Sequence, residues 1–296
     1  MDDAAFRELH RRELAEDRTS GASQLARQAL DSLAEFAGSC SAEEPDELRD
    51  SLLAFAEELQ FARPNMAPIH NLVERWADRV AGLEPATAAE LRRDGAALAQ
   101  QLSDDSIHAV AAAAHEAARL IGPGATIITH SLSSTVLEAF HELAAADVSA
   151  IVTESRPGLE GRNQARYLDK AHIPVSFITD AQLGHFSRIA DVALVGADTL
   201  LGDGALVNKA GSYLLALAAR DCGIPFYVCC ESFKQVPYAA ASFELESLDP
   251  RELDAPRGRH ITPLNVYFDI TPARLIDAWI DETGVRYAAR ADSDHT

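Results

Sequence analysis

The chain has 296 residues, 47% of them hydrophobic, and a formal net charge of −20. Such a hydrophobic fraction excludes a disordered chain and allows one large core, or one core with a smaller helical part. The apolar runs are far shorter than the ~18 residues that a membrane span needs, and an acidic surface repels nucleic acid phosphate, so we expect neither a membrane nor a direct nucleic-acid partner.

Residues 1–120 are predicted to form an all-helical N-terminal domain. Apolar residues recur there at helical spacing, β-branched residues are few, and Pro64, Pro68 and Pro85 interrupt the pattern. The predicted helices are residues 22–36, 48–59, 69–80, 87–102 and 106–120.

Residues 121–296 are predicted to form a second domain of the α/β class, because short β-rich runs now alternate with helical ones. That order is typical of a parallel sheet with helices on both faces. The predicted strands are residues 126–129, 150–153, 175–178, 192–195 and 226–229, and the predicted helices are 134–145, 161–171, 181–187, 212–221 and 272–283. No Gly-x-Gly-x-x-Gly motif follows the first strand, so NAD is not expected, and we predict no cofactor.

The four cysteines, at positions 40, 222, 229 and 230, lack the spacing of zinc ligands, so we predict no metal site. Cys229 and Cys230 are adjacent near a buried strand and are interpreted as reduced packing residues. The N-terminus has no basic region followed by an apolar one, which argues against a secretory signal. We therefore predict a cytoplasmic location.

Polar residues follow each predicted strand, at the edge where open parallel sheets bind ligands. In strand order they are Thr129-His130-Ser131, Glu154-Ser155-Arg156-Pro157, Asp180, Asp198 and Glu231-Ser232. His130 could transfer protons, but a histidine at a strand end is as often structural. Arg156 could make a fork contact with phosphate, or it could pair with Glu154 or Glu160 to hold the loop.

The run from Gly196 to Gly211 is the most informative segment, since it combines Asp198, a glycine-rich turn, Asn208 and Lys209. Asp198 could act as a general base or orient a substrate hydroxyl, or it could close the turn. Lys209, one of only three lysines, is predicted to lie at a helix start, where backbone N–H groups favour anions. Asn208 could bind the ligand or cap that helix.

These motifs, together with Val207-Asn208-Lys209-Ala210-Gly211, Pro225-Phe226-Tyr227-Val228 and the segment from Asn265 to Pro272, occur in one order. As a set they resemble the alpha/beta/delta subunit family of translation initiation factor 2B. That family also contains isomerases for ribose-1,5-bisphosphate and methylthioribose-1-phosphate. The resemblance implies a helical domain followed by a Rossmann-like domain, a phosphorylated sugar or nucleotide bound between them, and dimers or higher oligomers. The resemblance also implies related initiation-factor subunits as partners.

In the isomerases the catalytic pair is the cysteine of a Thr-His-Cys motif and the aspartate of Gly-Ala-Asp. This chain keeps Asp198 but has Ser131 at the cysteine position. Ser20-Gly21-Ala22 stands where the isomerases have Arg-Gly-Ala, whereas Arg63-Pro64 matches an element of the ribose-bisphosphate branch. A serine hydroxyl has a far higher pKa than a cysteine thiol, which makes it a poorer proton carrier.

The leading hypothesis is a regulatory homologue that binds a sugar phosphate or nucleotide through Ser20, Gly21, Ala22, Arg63, Arg156, Asn208 and Lys209. The alternative is an aldose–ketose sugar-phosphate isomerase in which Asp198 acts with Ser131 or His130. A third hypothesis is a subunit that only binds partners.

The scarcity of lysine relative to arginine has two possible explanations. Three lysines stand beside 23 arginines in this acidic chain. An acidic surface keeps proteins soluble at high salt, and a GC-rich genome favours arginine codons, so salt adaptation and codon usage both account for it.

Overall fold

The structure, a computed structural model, describes residues 2–17 and 20–288. It divides into two compact units, one ending at His108 and the other beginning at Ala109. The boundary predicted at residue 120 falls near the end of the helix that crosses this division.

Helices joined by short loops are the regular structure of the described residues in the first unit. Its helices are α1 (Asp3–Glu16), α2 (Ala22–Ser39), α3 (Pro45–Gln60), α4 (Ala67–Ala81) and α5 (Ala88–Ile121), which continues into the second unit. Each of α2, α3 and α4 buries one apolar face, and the rings of Phe36 and Phe55 meet edge to face with centroids 5.0 Å apart. The helical periodicity of the sequence is thus explained by a shared core.

One prediction in this unit was wrong. Residues 87–102 and 106–120 were expected to be two helices, but α5 is continuous from Ala88 to Ile121. The polar segment between them contains neither proline nor glycine, and its side chains fit a helix: Gln100 Nε2 donates to Asp104 Oδ1 at 2.9 Å, and Arg27 donates to Ser106 Oγ at 3.1 Å. Polarity alone therefore did not end the helix.

The second unit contains a seven-stranded sheet and a three-stranded sheet. The larger has the order β10-β9-β7-β4-β1-β2-β3, and all of its pairings are parallel except β9 with β10. Its strands are β1 (Thr126–Thr129), β2 (Ser149–Thr153), β3 (Val175–Ile178), β4 (Val192–Val195), β7 (Phe226–Cys229), β9 (Ala278–Asp281) and β10 (Gly284–Tyr287). The five predicted strands all occur, and the α/β class is confirmed.

Helices cover both faces of the large sheet, because successive strand residues point to opposite sides. Ile127 and Leu194 pack with α6 (Ser134–Glu142), α7 (Gly161–Lys170) and the end of α5, whereas Ile128 and Val195 pack with α8 (Leu183–Phe186) and α9 (Ser212–Cys222). Cys229 and Cys230 follow the same alternation and are free and buried. No described helix is long and apolar enough to cross a membrane.

The small sheet was not predicted. It is antiparallel, in the order β5-β6-β8, with β5 (Thr199–Leu200), β6 (Leu206–Lys209) and β8 (Phe268–Thr271). The predicted placement of Lys209 at a helix start was wrong, since Lys209 ends β6 and α9 begins at Ser212. The glycine-rich turn is the tip of the β5–β6 hairpin, where Tyr238 and Trp279 hydrogen-bond to it.

The helix predicted for residues 272–283 was also wrong. The segment holds a 3-10 turn at Ala273–Leu275 and then β9. Its short apolar run fits a helix or a buried strand equally well by periodicity. The tertiary structure decides for a strand, because Trp279 is buried on one face of the sheet and Ile280 on the other.

Candidate functional site

Two loops meet where the strand order of the large sheet reverses. From β1 the chain proceeds outward through β2 and β3, whereas β4 begins the other half of the sheet, so a crevice opens at the carboxyl ends of β1 and β4. His130 and Ser131 follow β1, and Asp198 follows β4. The loops approach so closely that a Cβ at Gly196 would collide with Ser133 Oγ. The topology therefore brings the predicted catalytic residues to one edge.

His130 is held at both ring nitrogens. Its Nε2 lies 2.9 Å from the carbonyl oxygen of Ala210, so this nitrogen carries the proton, and Nδ1 lies 2.6 Å from Thr153 Oγ1 and accepts from it. The chain of contacts continues from Thr153 to Ser155 Oγ at 3.1 Å and from there to the N–H of Ser131 at 2.8 Å. Burial lowers the pKa of His130, against the opposing effect of Asp180. The arrangement favours the structural role of this histidine over proton transfer.

Asp180 organises the loop that follows β2. Its two carboxylate oxygens accept from the backbone N–H groups of Ser155 and Arg156, each at 2.8 Å. Ser155 has φ of +61° and Ser131 has φ of +72°, a conformation that non-glycine residues adopt at a cost. Two strained serines thus face each other at the crevice, held by hydrogen bonds from both loops.

Lys209 is a buried cation, with a side chain only 1% exposed. Its Nζ forms an ion pair with Glu160 and lies 3.2 Å from the centroid of the Tyr267 ring. Burial lowers the pKa of Lys209, and Glu160, Asp198 and Glu252 oppose that effect. An ammonium has three N–H donors, so Glu160 and the ring face engage only part of its capacity. Lys209 is therefore not an exposed surface lysine.

Glu160 links Lys209 to Ser131. Besides the ion pair, its Oε1 accepts from Ser131 Oγ at 3.4 Å. From the sequence, Glu160 is expected only as a partner for Arg156, and Tyr267 is not expected near Lys209. The sequence gives little indication of either contact, because Glu160 lies several residues beyond the end of β2 and Tyr267 lies in a motif without an assigned role.

A second buried lysine, Lys234, was also overlooked. It pairs with the fully buried Glu231 at 3.1 Å, and Glu231 accepts from Thr135 Oγ1 at 3.2 Å. Burial disfavours the charge of Lys234, yet its pKa is raised because Glu231, with Cys230 and Asp198, outweighs burial. Asp198 acts electrostatically on both Lys209 and Lys234, which places it within reach of two buried cations. We call His130, Ser131, Glu160, Asp198, Lys209 and Lys234 the strand-end site.

Asn208 supports the turn between β6 and α9. Its Nδ2 donates to Ser212 Oγ at 2.8 Å, and Ser212 Oγ donates to the carbonyl oxygen of Lys209 at 2.8 Å. The cap position of α9 belongs to Gly211, with φ of +117°, and the carboxylate of Asp269 accepts from Gly211 N at 2.7 Å. Asn208 therefore does not cap α9.

Arg156 is exposed, and its Nη2 donates to the carbonyl oxygen of Leu253 at 3.2 Å. Its two expected acidic partners are engaged elsewhere, Glu154 by Arg162 at 3.9 Å and Glu160 by Lys209. The guanidinium thus holds the 3-10 turn at Pro250–Leu253. The predicted pairing of Arg156 with Glu154 or Glu160 is therefore absent, and its contact with phosphate stays a prediction.

The remaining predicted contacts lie in the first unit. Gly21 is the cap residue of α2, and Asp17 Oδ1 accepts from the N–H of Ser20 at 3.0 Å. Arg63 is 6% exposed, and its Nη1 donates to the carbonyl oxygen of Asp17 at 2.7 Å. Ser20, Gly21, Ala22 and Arg63 therefore share one neighbourhood around the start of α2. Their contact with a ligand remains a prediction.

In the described part of the chain, no group of three or more His, Cys, Asp or Glu side chains could hold a metal ion. The strand-end site instead combines two ammonium groups with carboxylates and hydroxyls. Such a set can hold an oxyanion and move a proton between neighbouring carbon atoms.

The model of the initiation factor 2 subunit family matches residues 18–288. A Pyrococcus horikoshii protein named translation initiation factor eIF-2B subunit 2-like is 38% identical over 284 residues, which cover 93% of this chain and 94% of the relative. A Haloterrigena turkmenica protein named ribose 1,5-bisphosphate isomerase is 33% identical over 289 residues, which cover 92% and 87%.

Among solved structures, the crystal structure of the Pyrococcus horikoshii translation initiation factor eIF-2B superposes with a TM-score of 0.83 at 34% identity, covering 96% of this chain and 98% of that one. The tetrameric eIF2B-beta2-delta2 complex from C. thermophilum matches with a TM-score of 0.71 at 19% identity, covering 96% and 90%. At that identity the second likeness concerns the fold alone.

Proposed function

Because the chain belongs to the initiation factor 2 subunit family, we propose that it binds a sugar phosphate or a nucleotide at the strand-end site, in a regulatory role. The observation that carries the proposal is the burial of Lys209 and Lys234 beside Asp198 at the crevice of the sheet. Each ammonium has three N–H donors and one carboxylate partner, Glu160 for Lys209 and Glu231 for Lys234, so donors remain at a ligand-binding edge, which favours an anionic ligand.

Regulation is favoured over turnover by the residues at the chemical centre. Ser131 replaces the cysteine of the related isomerases, and its hydroxyl contacts Glu160. His130 has both ring nitrogens engaged within the fold, so it has no free nitrogen for proton transfer. The phosphate-facing Lys209 is retained. This combination supports recognition of the ligand without its conversion.

The test is calorimetric titration with ribose 1,5-bisphosphate and with AMP. Lys209→Met alone would leave Glu160 buried without its cation, so the informative variant is the neutral pair Lys209→Met with Glu160→Gln. We expect it to bind at least tenfold more weakly than the single variant Glu160→Gln, since removing a charge-assisted contact costs about 1.5–3 kcal/mol.

The matched control is Lys170→Met, the third lysine of the chain, which is exposed at the end of α7. It should bind like the wild type. The proposal would be contradicted if the wild type bound neither compound, or if the double variant and Glu160→Gln had equal affinities.

A second candidate is an aldose–ketose sugar-phosphate isomerase of the ribose-1,5-bisphosphate type. It is favoured by Asp198, whose charge acts on two buried ammonium groups that could stabilise a developing enolate oxygen while Asp198 moves the proton between C1 and C2. Ser131, bonded to Glu160, would assist in place of the usual cysteine.

Incubation with ribose 1,5-bisphosphate separates the two candidates. Ketose formation that Asp198→Asn abolishes would establish the isomerase, and Ser131→Cys should then raise the rate, because a thiol is the better proton carrier. An unchanged ligand recovered from wild type and Ser131→Cys alike would leave binding as the function.

We also propose that the chain forms a homodimer or a larger oligomer, and that it associates with related initiation-factor subunits. The proposal is supported by family membership, and the C. thermophilum neighbour is named as a tetrameric complex. Light scattering after size-exclusion chromatography tests it, and a monomer at all concentrations between 1 and 100 μM, a range of about two decades, would contradict it.

A further inference from the structure

A second cavity opens at the opposite edge of the large sheet. It is lined by Pro225 and Asp277, which precede β7 and β9, and by Tyr287, which ends the antiparallel β10. It therefore lies at the amino ends of the parallel strands, whereas the strand-end site lies at their carboxyl ends. Its volume is about 1110 Å³. We call it the arginine cleft, after Arg220, Arg274 and Arg286 in its wall.

The cleft concentrates positive charge in an acidic protein. Three guanidinium groups line it, and its acidic residue, Asp277, already accepts from the N–H of Phe226 at 2.8 Å. Among residues 2–17 and 20–288, none of these three arginines has an ion pair, although acidic residues outnumber basic ones by 46 to 26. Arginines of this chain such as Arg7, Arg119 and Arg251 do have carboxylate partners. Within the described residues, ion pairs therefore do not neutralise the positive charge of the cleft.

Two of the guanidinium groups are already positioned. Arg286 lies over the Trp279 ring, 4.5 Å from its centroid, and the indole N–H is fixed by the carbonyl oxygen of Gly204 at 3.0 Å. Arg220, in the last turn of α9, donates to the carbonyl oxygen of Arg274 at 2.6 Å. Pre-positioned guanidinium groups lose less freedom when they bind an anion.

The cleft also offers an aromatic surface. The side chain of Tyr287 is 62% exposed at the wall, and Tyr227 is half-buried beside it. A cavity of this volume exceeds the needs of a single inorganic anion and matches the range of pockets for small organic ligands. Planar guanidinium forks fit phosphate oxygens, and an exposed ring can stack against a base.

We propose that the arginine cleft binds a nucleoside phosphate, with the phosphates at Arg220, Arg274 and Arg286 and the base against Tyr287. The site is separate from the strand-end site and does not depend on the function proposed for it. Its ligand is recognised by charge and stacking, and no bond is made or broken.

The probe is ATP, titrated by calorimetry against the full chain, with tripolyphosphate and adenosine as separate arms. Arg274→Glu is the informative variant, because the Arg274 side chain is exposed and makes no described ion pair or hydrogen bond. The control is Arg188→Glu, since Arg188 is likewise the exposed middle residue of a 3-10 turn, Ser187–Ile189, outside the cleft.

We expect ATP to bind more tightly than tripolyphosphate or adenosine, and we expect its affinity to fall as the KCl concentration rises. Arg274→Glu should weaken it at least tenfold, and Arg188→Glu should not. Binding must persist in the variant that combines Lys209→Met with Glu160→Gln. Loss of ATP binding in that variant, with normal binding by Arg274→Glu, would assign the nucleotide to the strand-end site and overturn the inference. So would equal affinities for ATP and tripolyphosphate, or equal effects of the two arginine substitutions.

Discussion

At the scale of single residues, the ion pair between Glu160 and Lys209 determines what the strand-end site can bind. Lys209 is buried, and a carboxylate already occupies part of its hydrogen-bonding capacity. The anionic ligand proposed for this site would therefore compete with Glu160. The same carboxylate accepts from Ser131, so its position also controls the residue that replaces the isomerase cysteine.

Glu160→Gln should raise the affinity of the strand-end site for ribose 1,5-bisphosphate by about tenfold, or about 1.4 kcal/mol, because it removes a competing negative charge. Glu160 also raises the pKa of Lys209, so its loss lowers that pKa further. The gain in affinity should consequently be larger at lower pH, where the ammonium is charged. Calorimetry at pH 6 and 8 measures the two affinities. Weaker binding by Glu160→Gln than by wild type at both pH values would show that Glu160 contacts the ligand favourably and does not compete with it.

His130 predicts a pH dependence of stability. Burial lowers its pKa below the ordinary histidine value of 6.5, so below pH 6.5 the unfolded chain binds a proton that the folded chain does not. Its contribution to stability is present above pH 6.5 and is lost as the pH falls, by at most about 1.4 kcal/mol per pH unit. Urea midpoints of wild type and His130→Gln between pH 7.5 and 5.5 test this. Parallel profiles would mean that His130 has the same pKa in the folded and unfolded states, which would contradict the lowered pKa.

At the scale of elements, the start of α9 is organised by a residue on another strand. Asp269 on β8 accepts from the N–H of Gly211 at 2.7 Å and of Tyr213 at 3.2 Å. These donors are the orphan groups of the first helical turn. The small antiparallel sheet, which aligns Asn208 with Asp269, thus fixes both the position of Lys209 and the start of the helix that follows.

Asp269→Asn should change how stability depends on pH. Burial raises the pKa of Asp269 from 3.8 to about 6, against the two backbone hydrogen bonds, so the folded chain binds the proton more tightly than the unfolded one. Its contribution is present below pH 3.8 and is lost as the pH rises through 6, up to about 3 kcal/mol. The Asn variant should therefore gain stability relative to wild type between pH 4 and 6. A constant difference in urea midpoint across that range would contradict the raised pKa.

The elements also show where periodicity was sufficient. The five predicted strands are short apolar runs between loops, and all but the partly exposed edge strand β3 are buried because the sheet is covered on both faces. Periodicity failed for β9, whose apolar run also fits a helix, and for the exposed edge strand β10, which has no buried face to mark it. It failed differently for α5, where the polar segment remained helical because nothing in it breaks a helix.

At the scale of the whole molecule, the distribution of lysine is uneven. Two of the three lysines are buried at the strand-end site, and the third is exposed on α7. Salt adaptation or codon usage accounts for the small number of lysines elsewhere in the chain. Neither removed lysine where a compact ammonium is enclosed by carboxylates and a ring. Arginine, with its larger planar head, could not occupy the space between Glu160 and Tyr267 in the same way.

For a chain with a net charge of −20, the salt dependence of stability distinguishes the two explanations of the composition, salt adaptation and codon usage. If the acidic surface reflects adaptation to salt, raising KCl from about 0.1 to 2 M should raise the urea midpoint, because screening shortens the range of charge repulsion to about 3 Å or less. We expect that increase. A midpoint that is flat or lower at 2 M would leave codon usage as the explanation.

The sequence by itself determined the fold class, the family and the edge of the sheet at which polar side chains gather, since these depend on periodicity and on motif order along the chain. Only the tertiary structure decided which of those side chains meet. It paired Lys209 with Glu160, enclosed His130, turned Arg156 toward a backbone carbonyl and brought Lys234 beside Asp198. The physical reason is that burial and pairing join residues far apart in the chain, and local patterns carry no record of such contacts.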